Sequence, residues 1–451
     1  MVTEKRFFPA SIADEVAYIF EVSTQSSLTF GFIITLEGEV SSEIVRQALD
    51  ACLNLYPKFK CVLVNHYPSL KRWFRYSWEY QDIKGKDILE ESEDLDPDRS
   101  HKDAMSYLRH YHFSHSIEIT RETPFKVMLI RQPKWVNLIF FCHHAATDGI
   151  GFVFFIQSFI QFYEEIFYYQ KKEGDYPPDL KTISQPARRF RRNHFSLRQY
   201  YAYLKHIALL LHEPSAQVRT EGGEGTMKRL PAAVEEITPR QLKMIRATVK
   251  KYHTTINHYL LAAMFKTIKK WNQQWGEKSE RICINVPVNL RSPEDRTLGN
   301  ILSGFNISFR SELIGTRDKM LRLIQEEQAS MMESDFARTN VNLTWLLKPI
   351  PLKLKMLMFK HRAHTLFPTL TLSNMGIGYP NPHHKDQEGF HYMGPARICH
   401  ISAIANPVIW PQMVVLTYND RMAISLSVSH SRFSFEVIER FLNSFIRELI
   451  E

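Results

Sequence analysis

The residues best able to do chemistry stand together in His143-His144-Ala145-Ala146-Thr147-Asp148-Gly149, directly after the apolar run 136–142. An imidazole exchanges a proton near neutral pH, and a carboxylate four residues further on can fix the loop that presents it. Gly149 admits a backbone conformation or a close approach that a side chain would block. Taken alone, the histidine pair has a second reading, as satisfied core histidines at the end of a buried strand. Thr147 has no role that its position assigns. A second pair, His383-His384, has no acids or cysteines at metal-ligand spacing and reads as a surface loop, so no metal site is expected.

To present that loop, the run VNLIFFC must form a strand buried on both faces. Phe152, Phe155, Ile156, Phe159, Ile160, Tyr163 and Ile166 then pack a helix back on it. Strand signals at 28–36, 61–65, 71–76, around Ile117 and at 125–130, with a helix from Ser41 or Ser42 through Leu53, complete a first α/β unit. The acidic stretch 87–103, with eight Asp and Glu, reads as a solvated loop. Three prolines in 176–186 end the unit. Residues 187–225 read as a connecting segment, helical over 197–211 and closing on EGGEG. Residues 226–451 repeat the alternation, with helices at 239–252, 255–271, 319–332 and 433–450. Strands fall at 281–288, 305–309, 413–418 and 422–429, with a strand and loop at 370–379. Two α/β halves, 1–186 and 226–451, leave a cleft between them as a natural substrate site.

HHAATDG resembles the HHxxxDG motif of a large acyltransferase superfamily. It includes chloramphenicol acetyltransferase, alcohol acetyltransferases, wax-ester-type and mycolipid acyltransferases, and the condensation domains of nonribosomal peptide synthesis. Val286-Pro287-Val288-Asn289-Leu290-Arg291, followed by Leu298-Gly299-Asn300, is similar to the VPVNLR…LGN segment of acyltransferase members. Leu372-Ser373-Asn374-Met375-Gly376 is similar to their SNLG loop, with Met in place of Leu. The DFGWG motif of the plant-type enzymes is missing between 379 and 411, so the resemblance points toward the bacterial and fungal alcohol acetyltransferase type.

The resemblance implies an α/β fold of two chloramphenicol acetyltransferase-like halves, a pseudo-dimer with a tunnel between them. His144 would be the general base on an acceptor hydroxyl or amine that attacks an acyl thioester, without an acyl-enzyme; His143 and Gly149 belong to the same motif. Asp148 would be structural, paired with an arginine of the second half, for which Arg291 is the candidate; a solvated arginine at a strand end is the other reading of that residue. Ser373 and Asn374 are candidates to support the oxyanion, with a turn-forming role for Asn374 as the alternative. No bound cofactor is implied. Acyl-CoA, with acetyl-CoA the first choice, would be the co-substrate, and a small or lipid-like alcohol or amine the acceptor. A carrier-protein thioester donor, or a non-catalytic binding module of the same fold, are the rival readings.

With 451 residues, 44% hydrophobic and only 17 Gly, the chain is long enough for two to four folded domains and is neither disordered nor collagen-like. Five scattered cysteines without a CxxC pair fit a reducing compartment, and no signal peptide or membrane-spanning run is read, which together predict a cytoplasmic setting. The net charge of +9 includes an acid-free basic stretch at 186–206, read either as a solvated linker face or as a phosphate-attracting surface. No nucleic-acid-binding motif accompanies it. The amphipathic stretches 197–211 and 346–360 suit either interdomain packing or peripheral contact with a membrane.

Overall fold

A computed structural model describes residues 5–65, 75–93, 117–171, 176–184, 197–220, 232–276, 280–362, 367–377, 386–428 and 433–451. His383-His384, EGGEG and most of the strand expected at 71–76 lie outside these residues. So do the arginines at 188–192 of the basic stretch.

The first half of the chain runs β1 (Phe7–Pro9), α1 (Ile12–Thr24), β2 (Thr29–Glu37), α2 (Ser42–Leu55), β3 (Cys61–Val64), β4 (Ser77–Tyr80), β5 (Leu89–Glu93), β6 (Phe125–Arg131), β7 (Val136–His143) and α3 (Gly149–Tyr169). Helix α4 (Leu197–His212) connects. Then follow β8 (Ala232–Ile237), α5 (Pro239–Lys251), α6 (Ile256–Gln273), β9 (Arg281–Asn289), β10 (Leu302–Arg310), α7 (Arg317–Glu333), α8 (Phe336–Thr344), α9 (Leu352–Arg362), β11 (Leu370–Ile377), β12 (Tyr392–Met393), β13 (Ala396–Ile404), β14 (Gln412–Tyr418), β15 (Arg421–Ser427) and α10 (Phe435–Ile450).

Two six-stranded sheets organise these elements, in the orders β12-β13-β2-β7-β6-β5 and β10-β9-β11-β14-β15-β8. Strand β7 lies inside the first sheet, and every one of its residues is buried, as its unbroken apolar run requires. Helix α3 covers it, capped by Asp148 and contributing Phe152, Phe155 and Phe159 to an aromatic cluster with Phe59, Phe125 and Phe140. Each such ring stabilises the fold by about 1.5–3 kcal/mol relative to exposure.

The structure departs from sequence expectation at four places. The acidic stretch begins as edge strand β5, parallel to β6, and its exposed Glu90, Glu91 and Glu93 suit a sheet edge that must not pair further. Residues from 117 form a turn rather than a strand. Helix α3 follows its apolar stripe through Ile166, but where no membrane-spanning run was read its 21 residues are long and apolar enough to cross a bilayer; more than half of it is buried in the core. Strands β12 and β13, which the sequence reading did not mark, leave the second half and extend the first sheet. Ile401 of β13 sits opposite Ile34 of β2.

A second tie between the halves is fully buried. Glu15 of α1 accepts from Lys355 of α9 at 3.2 Å and from Arg75 at 2.9 Å. Burial still raises the Glu15 pKa above its ordinary value, against the pull of both cations.

Candidate active site

Strand β7 ends at His143, and the turn that follows separates the two histidines by environment. His143 is buried: its Nδ1 accepts from the Ala145 amide at 3.0 Å, which leaves the ring proton on Nε2 for Glu21 of α1 at 2.7 Å. It lines neither of the cavities described below. His144 does. Its backbone amide is fixed by the Leu28 carbonyl at 2.8 Å, and its ring stands edge-on to Phe30 with centroids 5.4 Å apart.

The orientation of His144 is set by Asn300, which arrives from the loop before β10. The Asn300 Nδ2 donates to the carbonyls of His144 (2.7 Å) and Ala145 (3.2 Å) and approaches Asp14 Oδ1 (3.5 Å), so the amide cannot turn over. Its Oδ1 therefore faces His144 Nδ1 at 3.1 Å and can only accept. The proton belongs on Nδ1, and Nε2 keeps its lone pair. Burial lowers the His144 pKa below its ordinary 6.5, with Asp148 pulling the other way, so the ring is neutral at pH 7. Beneath the turn, Asp14 binds Lys58 at 2.9 Å and the Trp78 indole at 3.0 Å.

Asp148 holds the two halves in register. One carboxylate oxygen caps α3 through Gly151 N at 2.7 Å; the other accepts from Ile301 N and from Arg291 Nη1, each at 2.8 Å. Arg291 also donates to the carbonyls of Thr297 and Gly299, so its guanidinium is spent inside the structure and is not a solvated strand end. A Cβ at position 151 would lie 2.4 Å from Thr147 Oγ1 and 3.1 Å from Arg291 Nη2; only glycine fits there. The same crowding accounts for Thr147, whose hydroxyl accepts from Gly299 N at 3.3 Å.

Two cavities meet at His144. The larger, about 460 Å³, runs between α1, α4, α8 and β10; the smaller, about 330 Å³, is walled by β2, β11 and the segment 403–414. They share Phe20, His144, Asn285, Pro287 and Leu302. No Asp, Glu, Lys or Arg lines either one among the described residues. Ser373, Met375 and Gly149 border the smaller cavity. Asn374 is exposed and lines neither; its Oδ1 accepts from Gly376 N at 3.0 Å, the turn role. Tyr203 of α4 lines the larger cavity, and burial pushes its phenol up to about 12. Among the described residues, no group of His, Cys, Asp and Glu has the makings of a metal site.

Nothing in their local sequence marks Asn300, Glu21, Asp14 or Tyr203 as site residues. Asn300 stood inside the noted Leu298-Gly299-Asn300 segment, and the Ser11/Asp14 capping box carried a helix-start signal, but neither reveals a partner far away in the chain.

Residues 6–375 match the condensation-domain family. The chain belongs to that family. No curated protein matches it in sequence. Among solved structures, this condensation-domain protein is similar to the first condensation domain of the calcium-dependent antibiotic synthetase solved with a substrate analogue. That match has 11% identity and TM-score 0.72, over 99% of this chain and 96% of the other. It is similar to the trichothecene 15-O-acetyltransferase of Fusarium sporotrichioides (11%, TM-score 0.73, 99% and 95%). It is also similar to a starter condensation domain of rhizomide synthetase solved with C8-CoA and Leu-SNAC (11%, TM-score 0.63, 98% and 94%). At such identities the likeness is one of fold, and the fold is the two-lobed chloramphenicol acetyltransferase-like one that the motifs implied. Membership of the family makes acyl transfer or condensation the general chemistry.

Proposed function

We propose that this condensation-domain protein moves an acyl group from a CoA thioester to a hydroxyl acceptor, with His144 as general base. The reading is carried by one observation: an imidazole at the junction of two uncharged cavities, with Nδ1 tied to Asn300 and Nε2 left as the basic nitrogen. With donor and acceptor in the two cavities, the acceptor oxygen attacks the thioester carbonyl carbon as Nε2 takes its proton. The tetrahedral intermediate then expels the thiolate, breaking the C–S bond, and the imidazolium returns the proton to sulfur. Orientation in one passage replaces a bimolecular encounter. Ser373 is the proposed oxyanion donor. Asp148, Arg291, His143 and Asn300 act by positioning the loop.

A CoA donor is supported by the neighbour solved with C8-CoA, and an alcohol acceptor by the neighbouring trichothecene O-acetyltransferase. The smaller cavity, walled by Leu28, Phe30, Phe32, Val408 and Val414, suits an acyl chain longer than acetyl as well as acetyl itself. The family match and the synthetase neighbour support a second reading, in which the donor thioester is on a carrier protein. The test incubates the protein with acetyl-CoA, longer acyl-CoAs and carrier-protein thioesters against alcohols and amines, following free thiol and product mass. Ester formed from acyl-CoA supports the first reading; product from carrier thioesters alone moves the assignment to the second. No product from any pair overturns both and leaves a binding module.

A further inference from the structure

Helix α4, which borders the larger cavity, and α9, further along the chain, both expose apolar side chains. On α4, Leu197, Tyr201 and Leu204 follow one helical face and are 82%, 72% and 57% exposed. The same helix is anchored by Tyr203, whose hydroxyl donates to Asn340 Oδ1 at 2.9 Å and whose ring lies 4.9 Å from Phe336 of α8. The chain continues from α8 through Trp345, which also lines the cavity, into exposed Leu346 and then α9. On α9, Leu354 and Leu357 are 47% and 50% exposed, while Leu352 and Lys355 are buried, Lys355 on Glu15. Helix α9 is thus an interdomain packing element and α4 packs on the second half, and each turns a second, apolar face outward.

Along these stretches of the chain the charge has one sign. No Asp or Glu occurs in 180–212 or in 336–385, and the exposed ionised side chains along the described parts of α4 and of 345–360 are Lys205, Lys348, Lys353 and Lys360. Leucine and tyrosine on a helix face, flanked by lysines whose stems can lie along it, are the composition of an interfacial helix on anionic lipid. We propose that α4 and the segment 345–360 dock on an anionic phospholipid bilayer. The docking stands on this surface alone. That it feeds a bilayer-dissolved, uncharged acceptor into the larger cavity rests on the acyl-transfer reading, and the lack of charged walls among the described residues fits such a passenger.

The test is cosedimentation of the full chain with vesicles of phosphatidylcholine alone and of phosphatidylcholine mixed with phosphatidylglycerol, at low and high salt. Binding is expected on the mixed vesicles and to weaken by about tenfold or more on neutral vesicles or in high salt. Leu197→Ser/Tyr201→Ser/Leu204→Ser and, separately, Leu354→Gln/Leu357→Gln should each weaken it by about tenfold, with unchanged circular dichroism and unchanged turnover of a water-soluble alcohol. Failure to bind either vesicle, or undiminished binding by both variants, overturns the proposal. So does binding to an acidic carrier protein, sensitive to the same variants, in the absence of vesicle binding. Because vesicle binding needs no turnover, its loss and the loss of the acyl-transfer reading register separately.

Discussion

Arg291→Met keeps most of the side-chain volume at the junction of the halves and removes the cation on which Asp148 rests. The two side chains are 1% and 2% exposed and 2.8 Å apart, so no solvent replaces the guanidinium around the abandoned carboxylate. Asp148 retains two backbone donors, Gly151 N and Ile301 N, which hold the loss toward the lower end of the range for breaking a buried pair from one side, about 3 kcal/mol. Urea unfolding followed by tryptophan fluorescence, on wild type, Arg291→Met, Asp148→Asn and the double variant, measures it. Because the double variant buries no unpaired charge, it should be more stable than the sum of the singles predicts, with a coupling of about 2 kcal/mol. Activity should fall in both singles, since the pair fixes the loop carrying His144. A loss below about 1 kcal/mol for Arg291→Met, the scale of an exposed pair, together with strict additivity, would show that the pair does not hold the halves together.

Asn300→Ala removes the acceptor that keeps the proton on His144 Nδ1 and should lower kcat by about tenfold with KM little changed, the scale of one hydrogen bond; a matching rise in KM alone would argue against it. The acid limb of kcat/KM should fall below 6.5, because burial lowers the His144 pKa and the base stays neutral to a lower pH; a limb above 6.5 contradicts this. Glu236, paired with His400 of β13 and Arg421 of β15, has its carboxyl lowered to about 2 despite burial. The stability this supplies is complete above the ordinary 4.5 and is lost as pH falls toward about 2, so Glu236→Gln should flatten the acid side of a thermal-melt profile.

Local pattern made β7, the turn at its end and α3 legible in the sequence, because an unbroken apolar run and a helical stripe of phenylalanines each report burial from neighbours alone. The motif resemblance paired Asp148 with Arg291, and they stand in contact. What stayed illegible depends on chain segments far apart. Asn300 reaches His144 across 156 positions, and nothing in its immediate sequence shows which way its amide turns. Likewise β13 alternates as a strand should, but its partner β2 lies in the other half of the chain, where periodicity cannot point. The loop reading of 87–103 failed in its first part because exposed acids on an edge strand look the same as acids in a solvated loop.

In the proposed reaction Nε2 of His144 takes the acceptor's proton. With an acyl thioester and alcohol pair that the wild-type protein turns over, thiol release and ester formation are measured beside His144→Ala, its folding verified by circular dichroism. Loss of acceptor-dependent release by about 10²–10⁴-fold in the folded variant is the predicted result. Equal release by wild type and His144→Ala would rule out His144 as the base.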